Sequence, residues 1–437
     1  MNGIFLILIA GSVVAAAFAG AMPAVTQAGI DQAKFAVTFA IGLIGQMALW
    51  LGFMNVLREA GVMRSIAHRL GPVMRKLFPD IPDDHPALSA MVMNIAANML
   101  GLANAATPFG LKAIRELQRL NPHPGVATNS MALFLAINTS GVAVLPLGVI
   151  GVRAALGAER LGSIIVPSLL ATMLSTAVAI FVAKSLQGRP MFAPERFIDA
   201  DASDDAPPTD GGSISGMEEA QQVAEIDAPA SPWRMAVLGI FGVAMLAALV
   251  RQAGASPDVA GLDQVKSFLE SWLLPVLMAV IVLFGFGHRV RVYEAFVKGA
   301  KEGFDIGVMI IPYLVAILVG VGMFRASGLL DMLIGGLRPL TDLIGYPAEA
   351  LPMALIRPLS GSGALGVMTE TMNAHGPDSF VGFLVSIMNG STETTFYVIA
   401  VYLGSVHVRA ARHTLAACLA ADFTGLCAAF LLARLFF

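Results

Sequence analysis

The chain is a succession of apolar runs, several of them broken at their centres by polar residues. Ile4 to Val25 is apolar and rich in small residues, and Phe35 to Leu57 is a second run interrupted by Gln46 and Asn55. AFA and AGA near the end of the first run are compatible with a cleaved leader, but no Lys or Arg precedes Lys34, so a retained first helix is expected. From Gly61 to Phe78 the period changes. Val62, Ile66, Leu70, Val73, Met74 and Leu77 recur at helical spacing while Arg58, Arg64, Arg69, Arg75 and Lys76 flank and fill the rest, which predicts an amphipathic helix on the cytoplasmic membrane surface. In the following turn, PDIPDDHP, adjacent Asp83, Asp84 and His85 rarely converge on one ion, so a solvated loop is expected and no metal site is assigned.

The next runs carry polar groups at membrane depth. Met91 to Leu102 bears Asn94 and Asn98 on one helical face; Asn104, Ala105, Ala106, Thr107 and Pro108 then break it, before a more polar helix with Lys112, Arg115 and Arg119. This pattern predicts a re-entrant hairpin with free helix N-terminal amides at its break. The other reading is a kinked span whose Asn side chains bond neighbouring helices. Ala132 to Leu156 is interrupted by Asn138, Thr139, Ser140 and Gly141, and Ile164 to Ala183 closes the first half. Residues 188–232 hold ten acidic and two basic residues with the run TDGGSISG and are expected to be a disordered tether. Spans at Met235 to Val250 and Leu273 to Phe286 lead into HRVRVYEAFVKGAKEG, whose Arg289, Arg291, Lys298 and Lys301 mark the cytoplasmic side.

From there the chain repeats itself. Lys34 and Lys301, Gly61 and Gly328, Leu70 and Leu337, Pro72 and Pro339 are each 267 residues apart, and VRAA occurs at Val152 to Ala155 and again at Val408 to Ala411. Charge separates the copies: the first amphipathic segment is strongly basic, whereas its counterpart from Gly328 to Tyr346 has only Arg338. Conversely, the second VRAA sits in HVRAARH. Copies of opposite orientation are expected, the inverted-repeat plan in which broken helices meet near the midplane of a secondary transporter.

The second copy carries the sharpest polar features. Its hairpin, Leu351 to Met372, has Arg357, Pro358, Ser360, Gly361, Ser362 and Gly363 at the break; Arg357 is open to two readings, a partner for Glu393 or an anion, or an interface anchor. Asn389 to Thr395, NGSTETT, interrupts the run from Phe380 to Gly404. An ionised carboxylate such as Glu393 costs roughly 3 kcal/mol at bilayer depth even on lenient scales. Gly390 loosens the helix, and Ser391, Thr392, Thr394 and Thr395 can bond freed backbone groups. A broken helix lining a polar site is expected; the bland reading is a continuous helix with a protonated, structural Glu393. Asp422, in the last helix, is either an ion-coupling group or a carboxyl bonded to a neighbour.

Composition fixes the class: 57% of the 437 residues are hydrophobic and 13% charged, against about 25% charged in ordinary soluble domains. An all-α polytopic membrane protein of about nine spans is expected, with the lipid bilayer as its solvent. The basic residues cluster at the ends of apolar runs, so no nucleic-acid partner is expected. Cys418 and Cys427, nine residues apart, fall on opposite faces of one helix and cannot pair.

NIAANMLGLANAATPFGLKAIREL resembles the signature of spore maturation protein A, and KGAKEGFDIGVMIIPYLVAILVGVGMFRASGLL, RPLSGSGALGVMTE and MNGSTETTFYV resemble spore maturation protein B. The chain looks like a fusion of the two: an extra N-terminal helix (1–30), an A-like gate repeat (31–187), an acidic linker (188–232) and a B-like gate repeat (233–437). This resemblance implies the gate or nucleoside-recognition group, distantly similar to concentrative nucleoside transporters and to the membrane part of the ferrous-iron transporter, and a multi-pass protein of the bacterial inner membrane. It implies substrate and ion ligands in hairpin breaks and the broken helices beside them. The candidate substrate-binding residues are Asn94, Asn98, Asn104, Thr107, Asn138, Thr139, Ser140, Arg357, Ser360, Ser362, Asn389, Ser391, Thr392, Glu393 and Thr394, with Glu393 and Asp422 as ion-coupling candidates. A transporter of a small polar solute, with Na⁺ or H⁺ as candidate driver and a homo-oligomer as a candidate assembly, is the expected function; a non-transporting scaffold of envelope or spore-cortex maturation is the alternative. No cofactor is expected. Nor is an enzyme, since Ser391 has no His nearby in sequence, no metal-ligand spacing appears, and Glu393 without a nucleophile and base makes no mechanism.

Overall fold

Apolar runs in a bilayer can satisfy their own backbone groups only as helices or closed barrels, and this chain takes the first solution. The computed structural model describes residues 5–101, 103–197, 231–255 and 271–437, excluding the side chains of 103–105, 252–255, 337 and 340. Most of the expected tether, 198–230, lies outside the described residues; its first part forms two short 3₁₀ turns, Pro190–Phe192 and Pro194–Arg196. Among the described residues there is no strand, only one parallel bridge between Val126 and Ala410. Five helices among the described residues are long and apolar enough to cross a membrane, as befits a multi-pass membrane protein.

A π-helical turn, Ile7–Gly11, leads into α1 (Ser12–Ala19), which ends at Gly20; α2 then runs unbroken from Met22 to Glu59. The boundary expected at residue 30 therefore falls inside a continuous helix. Its polar stretch is helical surface: Gln27 Nε2 donates to Asp31 Oδ1 at 2.9 Å, and Thr26 Oγ1 to the Met22 carbonyl at 3.0 Å.

The remaining elements of the first half are α3 (Val62–Leu77), the hairpin α4 (Pro86–Met99) and α5 (Ala103–Arg119), the broken helix α6 (Asn129–Ser140) and α7 (Leu147–Ala155), and α8 (Ile165–Leu186). After α9 (Pro232–Ala255) and α10 (Leu273–Gly287), the same order returns. It comprises α11 (Val292–Ala326), α12 (Leu329–Asp342), the hairpin α13 (Leu351–Ile356) and α14 (Gly361–His375), the broken helix α15 (Phe380–Ser391) and α16 (Thr395–Gly404), and α17 (Thr414–Phe436). The matched glycines do the same job in each copy. Gly61 (φ 77°) and Gly328 (φ 79°) are the left-handed residues on which α3 and α12 begin, a conformation that penalises any Cβ.

The most extensive helix–helix contact is that of α2 with its counterpart α11. These helices run antiparallel: Gly299 faces Leu51 and Asn55, Gly303 faces Ala48, Gly307 faces Ile44 and Gly322 faces Gln32. Glycines four residues apart on one face let two backbones touch, which in lipid replaces the missing hydrophobic drive between helices. Asn55 Nδ2 donates to the Ala295 carbonyl at 2.6 Å, and Arg58 pairs with Glu302 at 3.1 Å. Behind the breaks α8 crosses α17, where Ser175 Oγ donates to the Ala421 carbonyl at 2.8 Å.

Two reciprocal clasps join the halves. Following α16, Arg409 N and Ala410 N donate to the Gly125 carbonyl, Ala127 N donates to the Ala410 carbonyl, and Arg412 Nη1 donates to the Ala127 carbonyl at 2.9 Å. These bonds grip the loop that precedes α6. In the other direction, buried Arg153 of α7 donates to the Pro377 carbonyl at 2.6 Å and pairs with Asp378 at 2.7 Å, gripping the loop that precedes α15. The two VRAA segments thus serve equivalent places.

The first clasp carries a pH-sensitive group. His413 precedes the apolar helix α17, is fully buried, and has no hydrogen-bond partner on either ring nitrogen among the described residues. Burial, then the adjacent Arg412 guanidinium, push its imidazole down to about 4. The native state holds His413 neutral while the unfolded chain protonates it near 6.5, so this contribution is complete above pH 6.5 and is lost as pH falls towards 4. On the order of 2 kcal/mol is lost by pH 5. Thermal unfolding of the wild type should therefore shift downward between pH 7.5 and 5, and His413→Phe should flatten that shift; an unchanged shift would assign it to other groups.

Candidate functional site

Both helix breaks are written locally. At the end of α6, Asn138 Nδ2, Thr139 Oγ1 and Ser140 Oγ donate back to the carbonyls of Phe134, Leu135 and Ala136 at 2.9–3.0 Å, competing with continuation of the helix. Gly141 then leaves the helix, and α7 resumes only after Pro146. In the second half Ser391 Oγ turns back to the Met388 carbonyl at 2.8 Å, Thr392 is extended, and α16 starts at Thr395.

Each break is tied to the tip of its own hairpin. Val144 N donates to the Met99 carbonyl at 3.0 Å, and Phe396 N to the Pro358 carbonyl at 3.1 Å. The two breaks also meet: Glu393 N donates to the Thr139 carbonyl at 2.6 Å. Two hairpin tips and two breaks, drawn from both halves, therefore converge.

The first hairpin turns earlier than the expected break at residues 104–108. Gly101 adopts φ 71° and packs so closely that a Cβ there would sit 3.2 Å from the Leu145 carbonyl, so the chain reverses before Asn104 and Pro108 lies inside α5. Asn98 Nδ2 reaches Asn138 Oδ1 at 3.1 Å, joining tip to break. Asn94, by contrast, is buried inside the hairpin, donating to the Ala106 carbonyl at 2.7 Å. The Asn104 side chain lies outside the described residues. Thr107 is half-buried on α5.

On the second hairpin Arg357 is buried. Its Nη1 donates to Thr394 Oγ1 at 3.3 Å and its Nη2 lies 3.9 Å from Glu393 Oε2. Ser360 caps α14 by accepting from Gly363 N at 3.0 Å, with the exposed Ser362 hydroxyl 3.4 Å away. Asn389 is half-buried on the last turn of α15. Glu393 is the open group, its side chain 62% accessible beside an Arg357 that is 6% accessible. Thr392, Thr394 and Thr395 around it are buried.

Asp422 on α17 accepts from Thr395 Oγ1 at 2.7 Å; Thr392 faces the same carboxylate without closing a hydrogen bond to it. Asp422 Oδ1 and Arg357 Nε have no hydrogen-bond partner among the described residues. Thr395 thus matters as the residue orienting Asp422, a pairing that no spacing announces. Cys418, also on α17, is buried against Thr139 Oγ1 at 3.4 Å, while Cys427 is exposed, and both are free thiols.

Residues 40–156 and 308–409 match the family described as Gate, nucleoside recognition. Both hairpins and both breaks lie within these segments, whereas α17 with Asp422 lies beyond them. The chain is similar to spore maturation protein B of Bacillus subtilis (strain 168), 44% identical over 174 residues that cover 40% of this chain and 98% of that protein. It is also similar to spore maturation protein A of the same organism, 40% identical over 163 residues that cover 37% of this chain and 83% of that protein.

Proposed function

Because this chain belongs to the gate family described as nucleoside recognition, and because its broken helices meet within the matched segments, we propose that it is a secondary transporter of a small polar solute of nucleoside-like chemistry. The observation that carries this reading is the joint between Glu393 N and the Thr139 carbonyl, with an accessible Glu393 carboxylate above a buried Arg357. Charge left open beside unwound backbone is tolerated at membrane depth only where water or a ligand can reach it. The amide and hydroxyl groups around it suit a neutral solute with sugar hydroxyls and base edges.

In this reading the halves form an inverted repeat of about nine spans in the bacterial inner membrane, with re-entrant hairpins α4–α5 and α13–α14. The antiparallel crossing of α2 with its counterpart α11 and the reciprocal clasps support that arrangement. Alternating access follows from rocking the hairpins and breaks of one half against the other. Asn98, Asn138 and Ser362 hold the solute; Glu393 and Asp422, the latter with an unpartnered oxygen, take Na⁺ or H⁺. No enzymatic step is assigned.

The test is the thermal midpoint of purified wild type and Glu393→Gln against nucleosides, nucleobases, amino acids and divalent metals, with and without Na⁺. A nucleoside should raise the wild-type midpoint by several degrees and leave the variant unmoved. A second reading, a membrane scaffold for envelope maturation, draws on the direct Asn98–Asn138 and Arg357–Thr394 bonds, with which the site partly fills itself. It replaces the first if no compound shifts either protein and Glu393→Gln is merely less stable.

A further inference from the structure

Away from the breaks, α3 and the start of α4 enclose a cleft of about 670 Å³, a volume typical of small-ligand sites. One wall is charged: Arg64, Arg69 and Arg75 of α3 line it, opposed by a single carboxylate, Asp83. The other wall comes from α4 and is mostly apolar, with the edges of the buried Leu88, Val92 and Met93 around the exposed Ser89. Gly71 leaves the floor open. The Arg75 guanidinium folds back over it, with Nη2 lying 3.8 Å from where a Cβ would stand.

The cleft also collects His288 from the turn between α10 and α11. That turn begins the basic stretch containing Arg289, Arg291, Lys298 and Lys301. Two basic segments more than 200 residues apart in sequence thus lie on the same side of the molecule, the side that the positive-inside rule makes cytoplasmic. An amphipathic helix along a membrane surface places its polar–apolar boundary at headgroup depth.

We propose that this cleft binds the phosphate headgroup of an anionic phospholipid of the cytoplasmic leaflet, with the three arginines on the phosphate and the α4 wall against the first methylenes of the acyl chains. The charge excess selects an anion. The apolar wall, which a free phosphate would leave bare, selects the lipid over soluble phosphate. Basic pockets between membrane helices are the usual places for such headgroups.

The experiment is binding of fluorescent phosphatidylglycerol to the purified full-length protein in detergent, with phosphatidylcholine and inorganic phosphate as unlabelled competitors. Arg69→Gln/Arg75→Gln should weaken binding about thirtyfold, and Arg69→Lys/Arg75→Lys should keep most of it. Gly71→Leu fills the floor without changing charge, improves helix propensity, and should weaken binding about tenfold by occlusion. The control Lys76→Gln/Arg119→Gln removes two positive charges outside the cleft and should bind like the wild type. The proposal is overturned if the control loses as much as the cleft variant, if Gly71→Leu binds normally, or if phosphate displaces the lipid at equal concentration.

Discussion

Gly303→Leu should destabilise the protein by at least about 3 kcal/mol or prevent its accumulation as a monodisperse species. The argument is steric. A Cβ at Gly303 would stand 2.6 Å from both the Cα and the N of Ala48, and these are backbone atoms of α2 that no rotamer change can move. The crossing would have to open along its length, and the same opening would separate Gly299 from Leu51 and Gly307 from Ile44. In lipid the apolar surface so exposed gains no hydrophobic penalty; the loss is one of packing and of the Asn55–Ala295 bond. Gly335→Leu on exposed α12 is the matched control, since nothing lies within 4 Å of a Cβ there. Thermal unfolding and size-exclusion profiles of the pair decide the matter: equal behaviour would mean that the glycine crossing does not set the stability of the fold.

Arg153→Ala should cost about 3–5 kcal/mol, the range for removing one partner of a buried ion pair. The guanidinium is fully buried and serves the Pro377 carbonyl, the Ser386 hydroxyl at 3.2 Å and the Asp378 carboxylate at once. Arg153→Lys should recover less than half, because an ammonium cannot span a carbonyl and a carboxylate in the same plane. Arg409→Ala, at the equivalent place in the second VRAA, should stay within about 0.5 kcal/mol, because Arg409 is exposed and engages Gly125 through its backbone N–H alone. Urea unfolding of the three variants tests this asymmetry; equal losses would show that the segment matters for its backbone and not for the buried guanidinium.

These contrasts show where sequence was a good guide. Gly, Asn and hydroxyl residues within apolar runs marked both breaks, because the competition of a short polar side chain with its own helix is a local affair. The 267-residue register also carried through, down to the left-handed glycines before α3 and α12. The spacing of Gly299, Gly303 and Gly307 was equally visible in KGAKEGFDIG, yet its meaning depended on what it would face. The first VRAA said nothing of what Arg153 would hold, since its partners Pro377 and Asp378 lie more than 220 residues away. No spacing announced the joint between Glu393 and Thr139, the bond of Thr395 to Asp422, or the ion pair of Arg325 on α11 with Glu370 on α14, 2.5 Å apart. In the first hairpin the polar cluster at 104–108 outweighed Gly101, although the backbone reverses where a left-handed residue permits it.

The reciprocal clasps impose an order on biogenesis. The loop around Ala127 acquires its partner only when Arg412 has been made, 285 residues later. At about 5–20 residues per second, that is roughly 15 to 60 seconds of synthesis. For that interval the first half sits in the bilayer with the carbonyls of Gly125 and Ala127 unclaimed and Arg153 without Asp378. It must therefore wait in an unlatched form until the loops at Pro377 and Asp378 and at Arg409 to Arg412 have been made.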